Sequence, residues 1–401
     1  MRSVVLLLSA SSCLVLAAES DALAISANIQ ARHNPFGTIL DPIFSAPDSD
    51  QIVGYTRCAD SAIWTGHYLA AEAYRYKVTR STDALANAKS ALAGLTLLAD
   101  VTGTNLLARC AVPMGSAFAA GIASEEKANG VWTGSAGGKA YMWIGHTSRD
   151  EYSGVFFGLA VAYDMIDDPG VRSQASALAT RLLQFLLDRA WNVIMPDGSI
   201  STTFLIRPDQ QLALSQVGRH LNSGHFGGEY RKISNEASLV PIPLAVDAFD
   251  PSSSYFKFNL DAINFDHLLP LETNFIHRVF YETGYDTFRA VVAGHQNPHF
   301  NMIDRVVHGP NAQRDTDTAA FLDQWLKRPR RDVPVDLHGS VPVCGSEACD
   351  PIPIPLRVPT DFLWQRSPFQ LSGGGQGLIE GAGIDYILPY WMARYYGIVT
   401  Q

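Results

Sequence analysis

Residues 146–170, HTSRDEYSGVFFGLAVAYDMIDDPG, constrain the fold more than any other stretch of the chain. From Tyr152 to Met165 the only charge is Asp164. A helix that is apolar on nearly every side belongs inside a protein. Ser148 with Glu151 three residues later forms a capping box, which starts the helix there. Gly154, Gly158 and Ala162 make a ridge of small side chains that admits a neighbouring helix at close range. The chain must therefore build a core around this helix. The polar cluster at its mouth, His146, Arg149, Asp150, Glu151 and Tyr152, is then a candidate site.

The composition, 47% apolar and 17% charged, supplies such a core. The net charge of −9 and the lack of a basic run argue against nucleic acid as a partner. A local basic pocket for an acidic sugar stays open. Residues 1–18 have a short basic head, an apolar run and small residues near Ala17 and Ala18, the pattern of a secretory signal. Residues 19–401 then form a single domain, secreted or periplasmic, with an irregular Pro-rich segment at 329–360. Cys13 offers lipid anchoring as a minor alternative, weakened by the missing aliphatic residue upstream. No later run is apolar enough for a transmembrane segment. The oligomeric state is not legible.

Four cysteines follow the leader, and an even count in an exported chain suggests disulfides. Cys58 precedes one helix and Cys110 follows its antiparallel partner, so a helical hairpin brings them to the same end. Cys344 and Cys349 flank the tight loop GSEA. The expected pairs are Cys58–Cys110 and Cys344–Cys349; free thiols or a four-thiolate metal site are poorer readings, because the spacing does not match two CxxC knuckles, and His220, His225 and Glu229 match no named metal motif, so no metal is assigned.

Helical periodicity covers 60–78, 82–101, 148–167, 171–192, 208–222, 234–250, 258–283, 285–296, 315–328 and 376–397. The Gly- and aromatic-rich 130–145 reads as a β-like flap, and Asp197-Gly198 as a hairpin turn. The expected fold class is all-α. The segments DSAIWTGHYLAAEAYRYKVTRSTDAL (60–85) and SRDEYSGVFFGLAVAYD (148–164) resemble the helix-pair phrasing of six-hairpin glycosidases. This resemblance, one of pattern over most of the chain, implies an α/α toroid of about six helical hairpins with small irregular or β-like insertions. It also implies a carbohydrate-active protein whose cleft lies at one end of the inner helices; no cofactor is assigned. Hydrolases, lyases and epimerases share that scaffold, so fold does not decide reaction.

Glycoside hydrolysis needs two carboxyl groups flanking the scissile bond. Asp60, Asp150 and Asp385 sit at expected helix starts and are the acid candidates; each could also be a plain cap. Glu151 is expected as the capping-box partner. Arg149 suits a bidentate grip on a carboxylate or a pair with Asp150, and His146 is placed to face a ligand. The stretch RHLNSGHFGGEYRK (219–232) reads as a polar loop offering His225 as a base, with Asn222, Glu229 and Tyr230 as binding groups. A base at His225 or Tyr230 would suit β-elimination from a uronic acid, the alternative chemistry. Trp364 and Tyr386, among dense aromatics at 360–397, suit stacking on sugar or packing in the core. Asp385 is expected to meet Asp60 where the first and last hairpins adjoin. A glycan-binding or envelope protein without turnover is the non-enzymatic reading. GxSxG is absent, which removes support for an α/β-hydrolase elbow.

Overall fold

A computed structural model describes residues 18–249, 254–359 and 362–400. Residues 1–17 of the expected leader, Cys13 among them, lie outside the described residues. Among the described residues fourteen α-helices form. They are α1 (Glu19–Asn28), α2 (Ser61–Thr79), α3 (Thr82–Asp100), α4 (Ala119–Glu125), α5 (Arg149–Met165), α6 (Pro169–Leu187) and α7 (Pro208–Leu221). There follow α8 (Ser223–Ile233), α9 (Pro241–Phe249), α10 (Lys257–Leu268), α11 (Phe275–Val292), α12 (Pro298–His308), α13 (Ala312–Trp325) and α14 (Ile384–Tyr395). Among the described residues no helix is long and apolar enough to cross a membrane.

The expectation of an all-α toroid is corrected by five small antiparallel sheets among the described residues. β1 (Asp41–Phe44) pairs with β2 (Ile52–Thr56). β3 (Cys110–Pro113), β4 (Val131–Ala136) and β5 (Lys139–Ile144) form a three-stranded sheet with β5 central. β6 (Asn192–Ile194) pairs with β7 (Ile200–Thr203). In the Pro-rich region β8 (Val335–Asp336) pairs with the distant β11 (Ser372–Gly373), while β9 (Val343–Cys344) and β10 (Glu347–Ala348) form a short hairpin. The architecture is mixed, helices with β-structure. Turn chemistry accounts for the strands. Gly137 and Gly138 both have positive φ, the conformation that a two-residue hairpin between β4 and β5 requires.

The helical core is organised around α2 and α5, buried along most of their length. They meet through Gly66, Gly154 and Gly158: a methyl group on Gly158 would overlap the Gly66 backbone. The ridge of small residues read from the sequence thus has a partner helix. Contacts continue from α5 to α7, α7 to α10, α10 to α12, α12 to α14 and α14 to α2. Ion pairs tie α7 to α10 at both ends and α5 to both of them at one end. Arg207, at the start of α7, pairs with Asp261 of α10. Asp164, near the end of α5, pairs with His220 of α7 and His267 of α10.

Several helix boundaries differ from expectation. The run expected at 258–283 breaks at Pro270, and Asn274 caps α11 by accepting from Ile276 N–H and His277 N–H. The run at 234–250 divides into a 3₁₀ segment, Ser234–Leu239, and α9; residue 250 lies outside the described residues. The polar loop expected at 219–232 is the end of α7 and all of α8, separated at Asn222 by an extended φ of −148°.

Candidate functional site

Two disulfides close, Cys58–Cys110 and Cys344–Cys349, the same pairs read from the sequence. The first, fully buried, joins the turn that carries Asp60 to the start of β3, one residue after Arg109. It therefore holds Asp60 and Arg109 in fixed relation. Arg109 Nη1 donates to Glu151 Oε1 at 2.9 Å and lies 3.9 Å from Asp60 Oδ1. Its Nη1 also donates to the Ala59 carbonyl and its Nε to the His146 carbonyl, each at 2.9 Å. One guanidinium thus gathers the starts of α2 and α5.

Glu151 completes the capping box, accepting from Ser148 N–H at 2.9 Å and from the Ser148 hydroxyl. It is fully buried, and burial is the main force raising its carboxyl to about 7; the Arg109 charge opposes the rise, while Asp150 and Asp60 add to it. Burial also raises Asp150, against the attraction of Arg109 and Arg149. The Asp60 side chain stays 31% exposed, whereas Glu151 is enclosed. Two residues beside these helix starts hold positive φ without being glycine, Arg57 at 62° and His146 at 46°. Such conformations cost about 1–3 kcal/mol and persist where surrounding contacts impose them.

A second charged knot lies at the starts of α7 and α10. Arg207 donates to Asp209 at 2.7 Å, Asp247 at 2.7 Å and Asp261 at 2.9 Å. Burial pushes the Asp261 carboxyl well up, helped by its two acidic neighbours and opposed by Arg207. Arg149 links the two regions. Its Nη1 donates to the Thr203 carbonyl at 3.1 Å, and its side chain lines a groove with Arg207 and Asp247.

Gln365 carries the other approach to Asp60. Its Nε2 donates to Asp60 Oδ2 at 3.4 Å, and its side chain lines a groove of about 560 Å³. Tyr255 and Phe256 form part of the same lining. Phe256 packs edge-on against Trp64, one turn into α2 from Asp60.

The structure brings Asp60, Asp150, Arg149 and His146 to one region and places the other expected residues elsewhere. Asp385 does not pair with Asp60 as expected. It is buried and accepts from Trp325 Nε1, Arg328 Nη1 and Leu363 N–H. Tyr152 is buried, with its hydroxyl accepting from Leu107 N–H. His225 Nε2 meets Gln184 Oε1 at 2.8 Å, Asn222 donates to Thr180, and Glu229 accepts from Lys232, all at the α7–α8 end. Tyr230 donates to Glu272 Oε2 and is within 3.2 Å of Tyr281 Oη; burial drives its phenol far above its ordinary value. Trp364 packs against His299 and His67, and Tyr386 stacks on Tyr390, so both serve the core.

Arg109, Arg207, Asp209, Asp261 and Gln365 were missed. Arg109 had a usable signal, since it directly precedes the cysteine paired with Cys58. Gln365 had none, because its value lies in a long-range return to Asp60. Comparisons with family models, curated proteins and solved structures found no match.

Proposed function

We propose that the chain is an exported carbohydrate-active enzyme that cleaves glycosidic bonds by hydrolysis, with Asp150 and Asp60 as its acid and base. The observation that carries this reading is the set of carboxyls gathered around Arg109, two of them with raised affinity for protons. Acid–base hydrolysis needs environments that separate the proton affinities of neighbouring carboxyls. Asp150, raised by burial, donates its proton to the leaving glycosidic oxygen as the C–O bond breaks. Asp60 accepts a proton from the water that adds to the anomeric carbon. Arg109 and Glu151 position the pair through the helix starts.

The groove entered at Gln365 supports the same reading, because it brings polar groups and the Phe256 ring beside Asp60. Disulfides favour an oxidising compartment, which supports export. Elimination from a uronic acid draws less support. Tyr230 and His225 are engaged in contacts at the α7–α8 end, and Tyr230 holds its proton tightly.

Asp60→Asn and Asp150→Asn should each lower the rate of glycoside cleavage on the order of a hundredfold or more, with melting temperature kept. Full activity in both folded variants would reject the assignment.

A further inference from the structure

The 560 Å³ groove beside Asp60 has a lining whose chemistry selects a ligand. Ser254, Ser346, Ser367 and Ser372 contribute hydroxyls, and Gln365 and Gln370 contribute amides. Of the charged liners, Glu347 and Arg366 have opposite signs, and His338 is hydrogen-bonded to Asp336. The lining has no surplus of cations. A uronate-bearing chain calls for guanidinium or ammonium groups beyond those already balanced. Sugar hydroxyls are donors and acceptors at once, and match a surface of serines and amides. Phe256, which is partly exposed, adds ring surface for the apolar face of a pyranose.

One wall of the groove is a stapled loop. β9 and β10 form a hairpin whose ends are joined by Cys344–Cys349, with Gly345 at φ 70° in its turn. Ser346 in this turn and Glu347 at the start of β10 both line the groove. Ala348 N–H donates to the Phe369 carbonyl at 2.9 Å, which ties the hairpin to the segment carrying Gln365, Ser367 and Gln370. Gln365 in turn donates to Asp60. The loop, the opposite wall and the carboxylate are therefore one connected unit.

We infer that this groove binds an uncharged oligosaccharide and that the loop closed by Cys344–Cys349 is its specificity wall. The link to turnover rests on the hydrolase reading above; the binding does not.

The test is calorimetry on the full chain carrying Asp60→Asn and Asp150→Asn, which should hold glycan without cutting it. The probes are maltohexaose, cellohexaose, xylohexaose and, as the acidic comparison, hexagalacturonate. The expected result is binding of at least one neutral probe in preference to the galacturonate. Adding Ser346→Ala with Glu347→Ala should weaken that binding about tenfold, the effect of two lost hydrogen bonds. In the otherwise native chain the same pair should raise KM and leave kcat nearly unchanged. Cys344→Ser with Cys349→Ser should act in the same direction, with the fold checked by melting. Preference for the acidic probe, no binding of any neutral one, or unaltered binding in the wall variants overturns the inference. Neutral binding that depends on the wall, without turnover by the native chain, keeps the inference and removes the hydrolase reading. Turnover with unaltered wall variants does the reverse.

Discussion

Glu151 illustrates how one side chain can serve as helix cap and as electrostatic control. Its carboxyl sits at about 7 in the folded chain against an ordinary 4.5, mainly through burial. The folded state therefore holds a proton that the unfolded chain releases between those values. The associated stability is complete below pH 4.5 and is lost as pH rises through 7, on the order of 3 kcal/mol in total. Glu151→Gln keeps the shape of the cap and removes the titration, so denaturant unfolding from pH 4.5 to 8 should show a flatter stability profile than the native chain. An unchanged slope would assign the proton elsewhere. Arg207 poses the converse case, one cation holding three carboxyl groups. Arg207→Met should cost about 3–5 kcal/mol in the same measurement, because it strands buried charge. A cost below about 1 kcal/mol would mean that Asp209 and Asp261 find other partners.

At the scale of elements, the α2–α5 pair is the frame on which Asp60 and Asp150 are mounted. Its closeness depends on glycines at the crossing. Gly158→Ala places a methyl group against the Gly66 backbone, and overpacking of this kind costs about 1–3 kcal/mol or more. The variant should melt lower and lose activity together, because separating the helices also separates the carboxyl pair. A stable, fully active Gly158→Ala protein would show that the spacing is not critical. This helix pair was the part of the fold most legible beforehand. The capping box, the all-round apolarity of 152–165 and the small-residue ridge each have local causes that act within one or two turns. The β-structure was less legible. Strands of two to four residues, such as β9, β10 and β11, carry too little periodicity to read and depend on long-range pairing. α8 was hidden for another reason. Gly224, Gly227 and Gly228 suggest a loop, yet packing of Phe226 and Tyr230 into the core holds a helix together.

For the molecule as a whole, the site is assembled from separated parts of the chain. Asp60 arrives on a turn fixed by Cys58–Cys110, Asp150 on the start of α5, and Gln365 on a return from the C-terminal third. Asp60, Asp150, Arg149 and His146 were legible because each marks a helix start. Asp385 was misplaced because a helix start does not show whether an acid faces outward or ties an inner loop, here through Leu363 N–H and Arg328. The central claim is that these parts add water across a glycosidic bond. The direct measurement is cleavage of a neutral oligosaccharide in ¹⁸O-enriched water, read by product mass and repeated with Asp150→Asn. The account predicts one heavy oxygen per bond cut, lost with the variant. Products that gain no water, or a folded native chain that cuts none of the neutral probes, would contradict it.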